Sequence, residues 1–284
     1  MAYVLALLSA AAYGAADFLG GMATRRATAV SAVIVSQAAG LILLLLVLPF
    51  LPETVVTTAD IAWGAVAGLA GGSGVAILYR ALAIGPMSIV APLTAVFAAA
   101  LPVFAGLALG ERLSSTTTLG IALAAIAIVL IGQEQSSATR GVTHSVSARG
   151  ITLAIVAGLL VGVFFVSLER TSAASGLWPL VPARLVAISL FTATALAGRR
   201  PVLVPRSVAA VAIGAGAVDM LANALYLIAV QQGPLSVVAT LASLYPASTI
   251  VLARFVLGER WSKLQAAGIA TAVGATTLIV GGIP

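Results

Sequence analysis

Long apolar stretches broken by short polar punctuation run through the whole chain. A membrane span needs roughly 20 apolar residues to cross a hydrocarbon core of about 30 Å. Ten segments meet that length: 2–22, 29–51, 60–84, 87–109, 115–132, 149–170, 177–198, 207–231, 235–257 and 262–281. Ten spans of that length predict an all-α membrane protein. Several junctions are very short, as at Gly85-Pro86 and Gly233-Pro234, and force antiparallel hairpins. The one long polar stretch, 133–148, is rich in Ser, Thr and Gln and contains His144.

The pattern repeats. Residues 81–132 align with 229–280 at a constant offset of 148, with about 22 of 52 positions identical. Both copies carry Gly-Pro at a helix junction, and they share the phrases LALGERLS (107–114) and FVLGERWS (255–262). The offset also places Gly14 on Gly162 and Gly68 on Gly216, so the repeating unit is the half-chain. We therefore divide the chain into a first five-helix repeat (1–132), a polar linker (133–148) and a second five-helix repeat (149–284). An odd number of spans per half inserts the second repeat upside down. Ten helices in two inverted repeats are the architecture of carriers that bind substrate midway between their halves.

Composition narrows the function. The chain is 61% hydrophobic and 8% charged, with a mean hydropathy of +1.18. Soluble domains carry about 25% charged residues. No cysteine is present, which removes disulfides, thiolate metal sites and thiol nucleophiles. We expect no metal and no cofactor. The glycine string 71–74 lacks the lysine of a phosphate-binding loop, and Lys263 is the only lysine. Transport would then draw on a gradient rather than nucleotide hydrolysis. The net charge of +6 lies on loop arginines and suits anionic lipid head groups, not nucleic acid. Arg25, Arg26, Arg140, Arg149, Arg199, Arg200, Arg206, Arg260 and Lys263 fall on one side of a ten-span arrangement. The positive-inside rule makes that side cytoplasmic.

Polar residues inside spans are costly and point to function or to a buried pair. Asp219, Asn223 and Tyr226 share a face of the eighth span at helical spacing. They form either a substrate or proton site, or a structural pair with an arginine. Arg184 lies at a similar depth, as a neighbour of Asp219 or a clamp for an anionic ligand. Asp17, with Tyr13 one turn before it, either carries a coupling proton or pairs with Arg80. Gln37 falls beside the Arg184 position by the repeat offset, and Tyr245 sits mid-span beside Pro246. The candidate substrate-binding set is thus Tyr13, Asp17, Gln37, Arg184, Asp219, Asn223, Tyr226 and Tyr245. Pro92 and Pro102 in the fourth span and Pro246 in the ninth predict bends in matching helices. Glu111-Arg112 and Glu259-Arg260 are expected to act as hinges or gates near the surface.

The duplicated helix–Gly-Pro–helix units ending in LGER, the stretch YRALAIGPMSIVAPLTAVFAAALPVFAGLALGERLS (79–114) and the segment YGAADFLGG (13–21) resemble the drug/metabolite transporter superfamily, in its ten-helix EamA branch. The resemblance covers essentially the whole chain. It implies a secondary active or facilitative transporter of a small polar metabolite, an amino acid or similar compound, usually exported. Its partners would be substrate, lipids and protons, acting as a monomer or weak homodimer in a prokaryotic inner membrane. Relatives usually keep both termini cytoplasmic, opposite to the charge rule. Two other classes remain open. One is a lipid scramblase or flippase, which needs a lipid-open groove. The other is an intramembrane aspartyl enzyme, which needs Asp17 and Asp219 within hydrogen-bond reach.

Overall fold

The computed structural model describes residues 1–84, 87–132, 148–258 and 260–282. The expected linker up to residue 147, His144, the Gly85-Pro86 junction and Glu259 lie outside the described residues. The helices are α1 (Ala2–Thr24), α2 (Ala29–Val47), α3 (Thr58–Ile84), α4 (Met87–Ala108), α5 (Ser115–Gly132), α6 (Ala148–Glu169), α7 (Leu180–Ala197), α8 (Arg206–Val230), α9 (Leu235–Ala242), α10 (Tyr245–Leu257) and α11 (Lys263–Gly281). α9 and α10 together make the ninth span, so ten membrane-length apolar segments result. Local chemistry marks their ends. Thr28 caps α2 by accepting from Ser31 N, and Ser262 forms a capping box with Gln265 at α11. Gly258 ends α10 in a left-handed conformation, φ 69°, that a side chain would oppose.

The proline-bearing spans differ between the halves. α4 runs unbroken through Pro92 and Pro102, whereas the ninth span breaks at 243–244 ahead of Pro246. The prolines do not coincide under the repeat: Ala98 stands at the position of Pro246. Only the second half acquires two half-helices.

Packing follows a two-fold rule. α1 lies along α8, and the equivalent α6 lies along α3. α2 packs on α8 as α7 packs on α3, and α4 meets α6 as α9 and α10 meet α1. The pairs α2–α7, α4–α9 and α5–α11 join equivalent helices and surround the pseudo-axis. The halves therefore interlock, and the odd span count makes them inverted. Glycines permit the closest approaches: Gly68 abuts the backbone of Ala183, and Gly216 abuts that of Ser36, with no room for a Cβ at either.

The two membrane faces differ. On the face holding the N-terminus (the terminal face), the α2–α3 and α6–α7 connections are zipped together. Asp60 accepts from Ser172 N at 2.6 Å, Thr57 N at 2.8 Å and Thr57 Oγ1 at 2.7 Å, and Val55 N donates to Ala174 O. On the opposite face, where α5 ends and α6 begins (the linker face), a cavity of about 360 Å³ separates Arg25 and Arg26 from Pro201 and Leu203. All eight residues of α9, at the terminal face, are buried, whereas Ile89 near the start of the equivalent α4 is exposed. In the ninth span 61% of the apolar stretch is buried, against 39% in the fourth. The molecule is closed at the terminal face and looser at the linker face.

Candidate functional site

α1 turns one side to lipid and the other to the interior. Val4, Leu8 and Ala11 form its exposed outer stripe. Asp17 lies on the opposite side of the helix at 100° per residue. That inner side is flanked by two contacts. Ser9 Oγ donates to Ala222 O of α8, while Ser248 and Thr249 of α10 donate to Ala10 O and Gly14 O. Between these flanks sit Tyr13 and Asp17. Asp17 is exposed although it faces inward, as are Gly21 and Thr24 further along that side. Beside Gly20 and Gly21 the space is open for at least 4 Å. This exposed inner side runs beside open space to Thr24, which lines the linker-face cavity, and is the candidate wall of a chamber opening toward that face.

A polar chain from four helices closes the chamber's inner end. Arg184 Nη1 of α7 pairs with Asp219 Oδ2 of α8 at 2.7 Å and also donates to Gln37 Oε1 of α2. Asn223 Nδ2 donates to the backbone oxygen of Asp219 at 2.7 Å, and Tyr13 OH of α1 donates to Asn223 Oδ1 at 3.0 Å. Arg184 and Asp219 each lie thirteen residues from the linker-face ends of their helices, about 20 Å, while Asp17 lies seven residues from Thr24, about 10 Å. Asp17 is therefore nearer the mouth, and the ion pair forms the floor. No hydrogen bond or ion pair engages Asp17 among the described residues, so Arg80 is not its partner. Its electrostatic neighbours are Asp219, Tyr13, Tyr79 and Tyr245.

Beside the floor, and then below it, the site turns aromatic. Tyr13 stands edge-on to Phe165 and to Tyr245, with ring centroids 6.4 and 6.3 Å away. Phe165 in turn packs on Tyr226 at 4.6 Å. Tyr226 is fully buried and donates to Phe165 O, so it belongs to the seal and not to the chamber wall that its spacing with Asp219 predicted. Phe165 is the repeat equivalent of Asp17, and Gly71 that of Asp219. The helices are duplicated; the site is not.

Glu111 completes the closure. Its carboxylate leaves the first half and caps α9 of the second, accepting from Leu235 N, Ser236 N and Ser236 Oγ. A carboxylate on three donors at a helix N-terminus is favoured by charge and by geometry. Glu111 of the first GER phrase thus ties the two halves together, like a latch, at the terminal face. Sequence reasoning missed Tyr79 and the cap on α9. The proximity of Glu111 to Ser236 had no local signal, because 125 residues separate them.

Comparison with known proteins adds the family. No curated protein matches the chain significantly. A solved crystal structure at 16% identity superposes with a TM-score of 0.72, over 98% of this chain and 94% of that one. At such identity the likeness concerns the fold alone. The family model described as "EamA-like transporter family" matches twice, at residues 1–133 and 148–281. With one match per five-helix half, the chain is an integral membrane protein of the EamA-like transporter family.

Proposed function

We propose that this protein is a secondary active or facilitative carrier of a small polar metabolite, working by alternating access. The chamber bounded by Tyr13, Asp17, Asp219 and Tyr245 receives the substrate, and Arg184, Gln37 and Asn223 hold its floor. Asp17 is the group available to a coupling proton. One observation carries this reading: an exposed, unpartnered carboxylate on the inner face of α1, with a floor below it and a sealed terminal face beyond. Rocking of the interlocked halves would release the latch at Glu111 and expose the chamber to the other side.

The linker face also carries most of the basic residues, so the positive-inside rule places the chamber mouth in the cytoplasm. Loading from that side fits export. An aspartyl-enzyme reading needs two carboxylates sharing a proton; Asp219 is instead paired with Arg184, and no hydrogen bond joins it to Asp17.

The test is flux across proteoliposome membranes with and without a pH gradient, screened over metabolite classes. Asp17→Asn is expected to abolish gradient-driven flux. Coupled flux left intact by Asp17→Asn would sink the proton role.

A further inference from the structure

We infer that the chamber selects a small organic cation, an amine-type group carried on an aromatic or apolar body. This rests on the carrier reading above and names its substrate class.

The argument is a charge count by accessibility. Three charged side chains meet at the chamber: Asp17, Asp219 and Arg184. Arg184 is 5% exposed. Its Nη1 is committed to Asp219 and Gln37, and its Nη2 is buried without a hydrogen-bond partner, so the guanidinium is almost wholly enclosed. The guanidinium neutralises Asp219 and leaves little surface for a substrate anion. Asp17 is exposed and unpaired, with a carboxylate and three phenols as its electrostatic neighbours. The accessible charge of these three is therefore that of Asp17, negative whenever its carboxyl is ionised. Arg25 and Arg26 lie about 10 Å nearer the surface and are exposed, where salt screens them. Arg80 is likewise exposed and forms no pair with Asp17.

An anion entering this space meets a like charge with no accessible counter-charge, which disfavours it strongly away from bulk water. A zwitterion brings its own carboxylate into the same space. A cation gains the Asp17 carboxylate and the tyrosine ring faces, which attract positive charge through their quadrupoles. Tyr13 and Tyr245 stand 6.3 Å apart at an interplanar angle of 62°, so differently oriented rings wall the same pocket.

Three probes share one phenyl body and differ in charge: phenethylammonium, phenylalanine and hydrocinnamate. Thermal shift and calorimetry on the purified full-length protein are expected to show phenethylammonium binding at least tenfold more tightly than the other two. Asp17→Asn should weaken it at least tenfold, and Asp17→Glu should restore most of the binding. The unliganded melting temperature of each variant reports folding separately. The inference is overturned if phenylalanine or hydrocinnamate binds as tightly, if Asp17→Asn binds phenethylammonium unchanged, or if none of the three binds. Counterflow of the same probes in proteoliposomes separates the two readings. Phenethylammonium binding without flux sinks the carrier and keeps the cation assignment. Flux of phenylalanine or hydrocinnamate without the amine does the reverse.

Discussion

Replacing Glu111 by Gln should shift the protein toward opening at its terminal face. The carboxylate spreads two oxygens over three donors of α9: Leu235 N on one, Ser236 N and Oγ on the other. An amide keeps only one acceptor, and its NH2 then confronts a donor. Charged hydrogen bonds contribute about 1.5–3 kcal/mol and neutral ones about 0.5–1.5. Loss of the charge at the helix N-terminus adds a further few tenths of a kcal/mol or more. A weakening of about 2 kcal/mol is the expected sum, roughly thirty-fold in the closed-to-open ratio at about 1.4 kcal/mol per tenfold. The chain has no cysteine, so single thiol reporters are clean. Ser243→Cys suits the sealed side, because Ser243 is 3% exposed and its Oγ is unpaired. Gly21→Cys suits the open chamber. With an impermeant maleimide, Glu111→Gln should speed labelling of the Ser243→Cys reporter from the terminal face. It should slow labelling of the Gly21→Cys reporter from the linker face. Reciprocity matters, since general loosening would speed both. Unchanged rates at the two reporters, or a rise at both, would refute the latch.

Three further outcomes follow from the same contacts. Arg184→Gln leaves Asp219 without its ion-pair partner at membrane depth, and should lower stability by about 3 kcal/mol. The double variant Arg184→Gln/Asp219→Asn should recover much of that loss, read as the melting temperature in detergent. At Gly14 a Cβ would come within 2.8 Å of Thr249 N and closer to Ser248 and Tyr245, so Gly14→Ala should cost about 1–3 kcal/mol. Gly20→Ala, on the same helix but beside open space, should melt within error of the parent protein. Asp60→Asn removes the charge holding Ser172 and Thr57, and should increase proteolysis of the α6–α7 connection from the terminal face.

How legible the site was depended on whether its partners lie on one helix. Asp219 and Asn223 are four residues apart, so their shared face followed from helical geometry, and they do hydrogen-bond. Tyr226 belongs to the same series by spacing, yet α6 covers it, because Phe165 of the same half packs against its ring. Depth counting put Arg184 level with Asp219. Which of its alternatives held, ion pair or free clamp, turned on side-chain reach across α7 and α8. Pro92 and Pro246 read alike in the sequence, but only the ninth span breaks.

Ten spans, their duplication and their inversion follow from the order of residues alone. Apolar length and an odd span count are properties along the chain and need no knowledge of neighbours. That the halves interlock, that Glu111 latches α9, and that Asp17 stands open while Arg184 is sealed emerge only once the helices are packed. Those outcomes depend on which helices meet across the membrane. Two related halves can meet in two tilted arrangements, and only three-dimensional packing says which face is closed.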